Sequence, residues 1–253
     1  MHIAICYWGI CRSTDKTIDS IRTNIYGPLV AAGHTYDVFV HTFSVTDLYT
    51  NARANEHRIR LNNTLHELLE PATVELEDQK AVDAKLDLTQ YRTRGDPWAT
   101  FFQAPTFDNH IRSLHSLNQV TKLWVSSPHT YERVIYLRPD VLYLNPLDPQ
   151  WLEIGPTECA LPDFHHHPVN DRFAILHPRS ALIYGRRFEK ALAYSRRERL
   201  HSETYLEFML TANNIRLVSL PFRFKRVRAN GIVIDDDVTS PPSEQAEQER
   251  SSP

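Results

Sequence analysis

Apolar residues fall along the chain in short blocks that alternate between two periods. His2 to Tyr7 (HIAICY) is a continuous apolar run of strand length, and Tyr36 to Thr42 (YDVFVHT) is a second, rich in β-branched and aromatic residues. Between them, Arg12 to Asn24 carries Ile18, Ile21 and Ile25 at helical spacing, with Ser13 or Thr14 as a cap and Gly27-Pro28 ending or bending the helix. Strand, helix, strand in that order predicts a parallel sheet. Asn109 to Val125 is the clearest amphipathic helix, with Ile111, Leu114, Leu117, Val120, Leu123 and Trp124 on its apolar side. It leads into Val134-Ile135-Tyr136-Leu137, a run apolar at every position, as in a strand covered on both faces.

Further strands are predicted at Cys159 to Asp163, Arg172 to Leu176 and within Ile215 to Phe224, and helices at Ala181 to Arg196 and Ser202 to Ala212. About 46–98 is more polar, with a short helix (Leu61 to Leu69) and an alternating run (Thr73 to Glu77), and reads as an insertion flanking the sheet. After Ile234 the chain turns to Asp, Ser, Pro, Glu and Gln, a composition that cannot repay its ordering entropy, so 235–253 is expected to be a disordered tail. The organisation expected is therefore one α/β domain over 1–234.

Composition narrows the function classes. Of 253 residues, 42% are hydrophobic and 23% charged, which suits a soluble enzyme. A net charge of -3 argues against bulk electrostatic capture of nucleic acid. No apolar run approaches the roughly 20 residues of a membrane span, and the start lacks a leader pattern. Cys6, Cys11 and Cys159 are odd in number and widely spaced, framing neither a disulfide scaffold nor a zinc finger. A cytoplasmic setting is the expectation.

Candidate chemistry gathers where strands should end. Pro139 cannot donate to a ladder, so the Val134–Leu137 strand should stop there with Arg138 and Asp140 at its tip. Strand tips of open α/β sheets are where ligands bind. An arginine beside an aspartate can serve a phosphate and a metal together, or simply close a turn as an ion pair. At the first strand's exit, Tyr7 and Trp8 can stack on a base, Gly9 permits close backbone approach, and Arg12 near a helix start suits phosphate. No G-x-G-x-x-G is present. Asn170-Asp171-Arg172 precedes a strand and can hydrogen-bond a polar ligand or form a structural turn. Glu203 is either a carboxylate favoured by its helix dipole or a cleft-facing base. Arg226 and Arg228 share strand parity and so can converge on one diphosphate, with solvated surface cations as the plain alternative. The run His165-His166-His167 invites zinc, but adjacent histidines in an extended loop point in alternating directions. A metal-dependent hydrolase built on it is the weaker rival.

With those residues in view, ERVIYLRPDVLYLNPLD resembles the strand–D-x-D–strand segment of GT-A glycosyltransferases of the glycogenin-like group. It is closer still to a GT-A-like set found in large algal viruses, algae and fungi. The shared blocks run in order through Gly9–Ser13, Tyr36–Thr42, Gly95–Trp98, Arg138–Asp140, Asn170–Phe173, Tyr184–Phe188, His201–Leu206 and Phe224–Gly231. The resemblance implies a GT-A-like fold, with a mixed, mainly parallel central sheet flanked by helices and a nucleotide site at the carboxyl ends of the first strands. It implies a donor such as a UDP- or GDP-sugar, bound through Tyr7, Trp8, Gly9, Arg12, Arg138, Asp140, Asn170, Arg226 and Arg228. The acceptor would be a glycan or glycoprotein, with Asp171 and Glu203 as catalytic carboxylates. It also implies Mn2+ or Mg2+ held through Asp140. Two departures stand beside it: Arg138 replaces the first D-x-D aspartate and could supply positive charge itself, and the H-x-x-G-x-K-P-W motif is not found. A catalytically silent nucleotide-sugar or carbohydrate-binding protein on the same scaffold is the alternative.

Overall fold

A computed structural model describes residues 1–51, 54–99, 106–164 and 168–234. The histidine run 165–167 and the tail 235–253 lie outside the described residues, so the expectations for them are not taken further.

The chain opens with β1 (His2–Trp8), followed by α1 (Thr14–Ile21), a π-helical stretch (Arg22–Tyr26) and α2 (Gly27–Ala31). Gly27-Pro28 thus does not end the helix. Pro28 follows directly on the π-helical stretch, and the Asn24 carbonyl one turn back accepts from Leu147 N (2.8 Å) instead. Next come β2 (Thr35–Ser44), the short antiparallel pair β3 (Tyr49–Asn51) and β4 (Glu56–Ile59), β5 (Thr73–Asp78), α3 (Gln79–Leu86) and the long α4 (Thr106–Val125). Then follow β6 (Arg133–Leu137), β7 (Val141–Tyr143), β8 (Glu158–Pro162), β9 (Phe173–Leu176), α5 (Pro178–Gly185), α6 (Phe188–Ser195), α7 (Ser202–Ala212), β10 (Arg216–Leu220) and β11 (Phe224–Arg226).

Seven strands form one sheet in the order β10-β8-β9-β6-β1-β2-β5. Only β9 runs against its neighbours β6 and β8; the other pairings are parallel. This is the mixed, mainly parallel sheet flanked by helices that the GT-A resemblance implies. The polar segment does more than flank the sheet, because Thr73–Asp78 pairs in parallel with β2 and forms its outer strand.

Alternation along the strands divides the core in two. Ile3, Ile5 and Tyr7 with Val38, Val40, Ile135 and Leu137 pack against Ile18, Ile21, Ile25 and Leu29 of the first helical run. Ala4, Cys6 and Trp8 with Phe39, Val134 and Tyr136 pack against Leu117, Val120 and Trp124 of α4. Period two along each strand assigns successive residues to opposite faces, and both faces are covered. The helix expected over Ala181–Arg196 is two helices that part at Gly185. There a Cβ would overlap Thr121 Oγ1 and the Tyr136 hydroxyl. Among the described residues no helix is long and apolar enough to cross a membrane. Cys6, Cys11 and Cys159 are buried free thiols.

Candidate active site

A cleft of about 340 Å³ opens at the carboxyl ends of β1 and β6. Its walls include Trp8, Arg12, Arg138, Asp140, Asp171, Arg172, Glu203, Arg226 and Arg228, together with Trp98, His110 and His201. Most of the polar residues singled out by sequence are therefore brought to one place.

Asp140 is the hub. It is 2% exposed and accepts four guanidinium hydrogen bonds: from Arg12 Nε (3.1 Å) and Nη2 (2.8 Å), and from Arg138 Nε (2.9 Å) and Nη2 (3.0 Å). Burial alone would raise its pKa, but Arg138 and Arg12 outweigh it and hold the carboxyl well below the usual carboxylate range. The backbone around it is pinned as well. Val227 N donates to the Asp140 carbonyl at 2.8 Å, and Thr17 Oγ1 donates to the Pro139 carbonyl at 2.7 Å.

This geometry bears on whether Asp140 could hold the implied metal. Both carboxylate oxygens already face N–H donors, and the nearest charged groups are arginines, so a divalent ion would be set against guanidinium charge with one shared carboxylate to hold it. The residues present do not fit Mn2+ or Mg2+.

Arg12 is likewise committed. Of its five N–H donors, four go to Asp140, the Tyr49 hydroxyl (2.8 Å) and Glu56 (3.0 Å). Its pKa is raised because those partners outweigh desolvation. It organises the site rather than reaching out to a phosphate. Arg138 stacks over the Trp8 ring, with Cζ 4.9 Å from the centroid. The indole face expected to meet a base is thus covered by a cation. Gly9 has φ of +95°, and a Cβ there would come within 3.2 Å of Arg138 Nη1. The close approach it permits is that of Arg138.

Two sequence expectations fail here for packing reasons. Tyr7 is fully buried on the α1 face of the sheet and does not reach the cleft. Its neighbour Trp8, of opposite parity, does. Asn170 is fully buried as a turn residue: its Nδ2 donates to the Phe164 carbonyl (3.0 Å) and its Oδ1 accepts from Arg172 N (3.0 Å).

Asp171, by contrast, lines the cleft, and its carboxylate has no hydrogen bond among the described residues. Desolvation pushes its pKa up, but the Arg172 and Arg187 guanidinium groups prevail and the net shift is downward. Glu203 is buried, accepts from Ser202 Oγ at 3.0 Å, and lies 4.0 Å from Arg172 Nη2. Ser202 occupies the first position of its helix, with His201 as the residue before it.

Arg226 and Arg228 both face the cleft, as their shared parity predicts. Arg228 is 8% exposed and its buried Nε has no hydrogen-bond partner among the described residues. Desolvation, then Arg226 and Arg12, lower its pKa to about 10. It remains a cation at neutral pH, held where a cation is under-compensated.

Three contributors were missed by sequence. Glu56, fully buried, accepts from Arg12 and from Ala229 N (2.6 Å), tying the polar segment to the basic one. Tyr49 supports Arg12. His110 on α4 lines the cleft with Nε2 buried and without a hydrogen-bond partner among the described residues, and burial pushes its pKa down to about 3. The imidazole is therefore neutral. None of the three carried a signal, since Glu56 and Tyr49 lie in a segment that reads as surface and His110 falls on the polar flank of an amphipathic helix.

No protein-family model matches the chain, and no curated protein matches it significantly. Among solved structures, the chain is similar to the apo form of mouse xyloside xylosyltransferase 1, at 13% identity and a TM-score of 0.38, over 86% of this chain and 84% of that one. A likeness of that degree says nothing about donor, acceptor or mechanism.

Proposed function

We propose that the chain is a glycosyltransferase that moves a sugar from a nucleotide-diphospho-sugar to a hydroxyl of a glycan or glycoprotein, with the leaving diphosphate neutralised by arginines. The observation that carries this reading is Arg228, a buried guanidinium with an unpartnered Nε, facing a strand-tip cleft beside Arg226 and Arg138. A buried cation short of partners is costly unless an anion completes it. Planar, multiply donating groups converging from two strands suit a diphosphate better than a lone carboxylate.

In the transfer, the acceptor oxygen bonds to the anomeric carbon and the bond from that carbon to the phosphate oxygen breaks. The electron pair departs on the diphosphate, where Arg228, Arg226 and Arg138 stabilise the growing charge. If configuration inverts, the acceptor proton goes to Asp171, whose carboxylate lines the cleft and accepts no hydrogen bond among the described residues. Glu203, tethered by Ser202, would contact the donor sugar. If configuration is retained, neither carboxylate need act as base.

The test is a thermal-shift panel of UDP-, GDP- and dTDP-sugars with and without EDTA, followed by measurement of released nucleoside diphosphate. One donor is expected to raise the melting temperature equally with and without chelator, because specific binding shifts apparent stability. If the enzyme inverts, turnover of that donor should require Asp171. If no nucleotide sugar stabilises the protein, the reading fails.

A further inference from the structure

Away from the arginine cluster, three potential ligand atoms meet where the outer strand, β2 and α4 join. His41 Nε2 lies 3.0 Å from Glu77 Oε2, and His115 Nε2 lies 2.5 Å from the same oxygen. His41 is fully buried, while His115 and Glu77 are partly exposed, which leaves an entry path. All three ligand atoms lie within 4.8 Å of one another.

We infer that His41, Glu77 and His115 form a binding site for a zinc-type divalent transition metal. Two imidazoles and one carboxylate are a normal protein donor set for such an ion, with a fourth position left to water. Bonds of about 2.0–2.2 Å in tetrahedral array place ligand atoms a little over 3 Å apart. The present 2.5 and 3.0 Å separations therefore need only a small rotamer adjustment.

The surroundings supply a second, independent argument. Ser116 Oγ accepts from Gly9 N (2.8 Å) and lies 2.8 Å from His41 Nδ1, which holds the ring by that nitrogen while Nε2 stays turned toward Glu77. A metal-ligating histidine is oriented in this way, by a hydrogen bond at its other ring nitrogen. A cation between Nε2 and Oε2 would replace the direct histidine–carboxylate contact with two bonds. The ion would staple the outer strand and α4 to β2, one residue pair from Trp8, which is registered opposite His41.

The experiment uses the full chain, stripped with chelator and dialysed. Zinc affinity is measured by competition with a chromophoric chelator, and coordination by the visible bands of Co2+ substituted for it. One equivalent is expected to bind with Co2+ bands of tetrahedral type. His115→Gln and Glu77→Gln, each verified as folded by circular dichroism, should lose affinity by at least about 100-fold. His129→Gln, in the separate His2–Asp37–His129 group, should leave it unchanged. Undiminished zinc binding in both His115→Gln and Glu77→Gln overturns the assignment, as does loss in His129→Gln alone or the lack of any stoichiometric binding by the wild type. Because this site lies outside the proposed donor pocket, its failure and that of the glycosyltransferase reading are separable.

Discussion

Replacing Asp140 by asparagine should cost the protein much of its stability while preserving its shape. The carboxylate accepts four hydrogen bonds from two arginines. Asparagine keeps one acceptor but turns an NH2 toward guanidinium donors, so at least one arginine loses its partner. The Arg12 side chain is 7% exposed and has less access to water than Arg138, which is 21% exposed. The Arg12 side of the hub therefore dominates the loss. Breaking a buried ion pair by removing one member costs about 3–5 kcal/mol. For a domain of this size that is a fall in Tm of about 6–20 °C. Urea unfolding followed by circular dichroism would read it as a lower midpoint at unchanged slope.

The pH dependence gives the reasoning a second check. The folded pKa of Asp140 is depressed below its unfolded value of about 3.9, so its contribution is fully present above that value and is lost as pH falls through the folded pKa. Wild type and Asp140→Asn should therefore differ by a constant amount from neutral pH down to about pH 4, and converge only in stronger acid. A loss under about 1 kcal/mol at pH 7, or convergence already at pH 5–6, would refute the claim that this carboxylate is the charged centre of the site.

Arg228→Gln should weaken donor binding by roughly 10- to 100-fold, the worth of about 1.5–3 kcal/mol for a charge-assisted hydrogen bond, without lowering Tm, since it removes an under-compensated buried cation; titration calorimetry and a melting curve check both halves. Asp171→Asn should retain donor binding and lose turnover by about 10²–10⁴-fold if the enzyme inverts. Because the Asp171 pKa is lowered, the acid limb of wild-type kcat/KM should lie below the ordinary aspartate range, and a limb near pH 6–7 would exclude it as the base. Gly185→Ala should destabilise by about 1–3 kcal/mol or more, as the new methyl must displace Thr121 or Tyr136, measurable as a shifted denaturation midpoint.

What could be read from residues alone followed periodicity. The continuous apolar runs placed β1, β2 and β6, and helical spacing placed α4 to within three residues. Parity brought Arg226 and Arg228 together correctly. The same rule, applied to Tyr7 and Trp8 as a pair, would have sent them to opposite faces, and the structure does so. Asn170 failed because a side chain that satisfies its own turn looks, in sequence, like one that awaits a ligand. Arg12 and Asp140 were found, but not that each exhausts the other, because partners 128 residues apart leave no local trace. Glu56 and His110 were unreadable for the same reason: burial of a polar residue is decided by the elements that close over it.

Glu56 joins Arg12, near the start of the chain, to Ala229, near the end of its described part, across a separation of 173 residues from the latter. The pairing of β11 with β7 adds another late closure. A nascent chain leaving the ribosome therefore carries its arginine–carboxylate hub unfinished until the segment through Ala229 has emerged. Contacts of such sequence distance are slow to form, so the arginine-lined cleft should be among the last of the described parts to become native after synthesis.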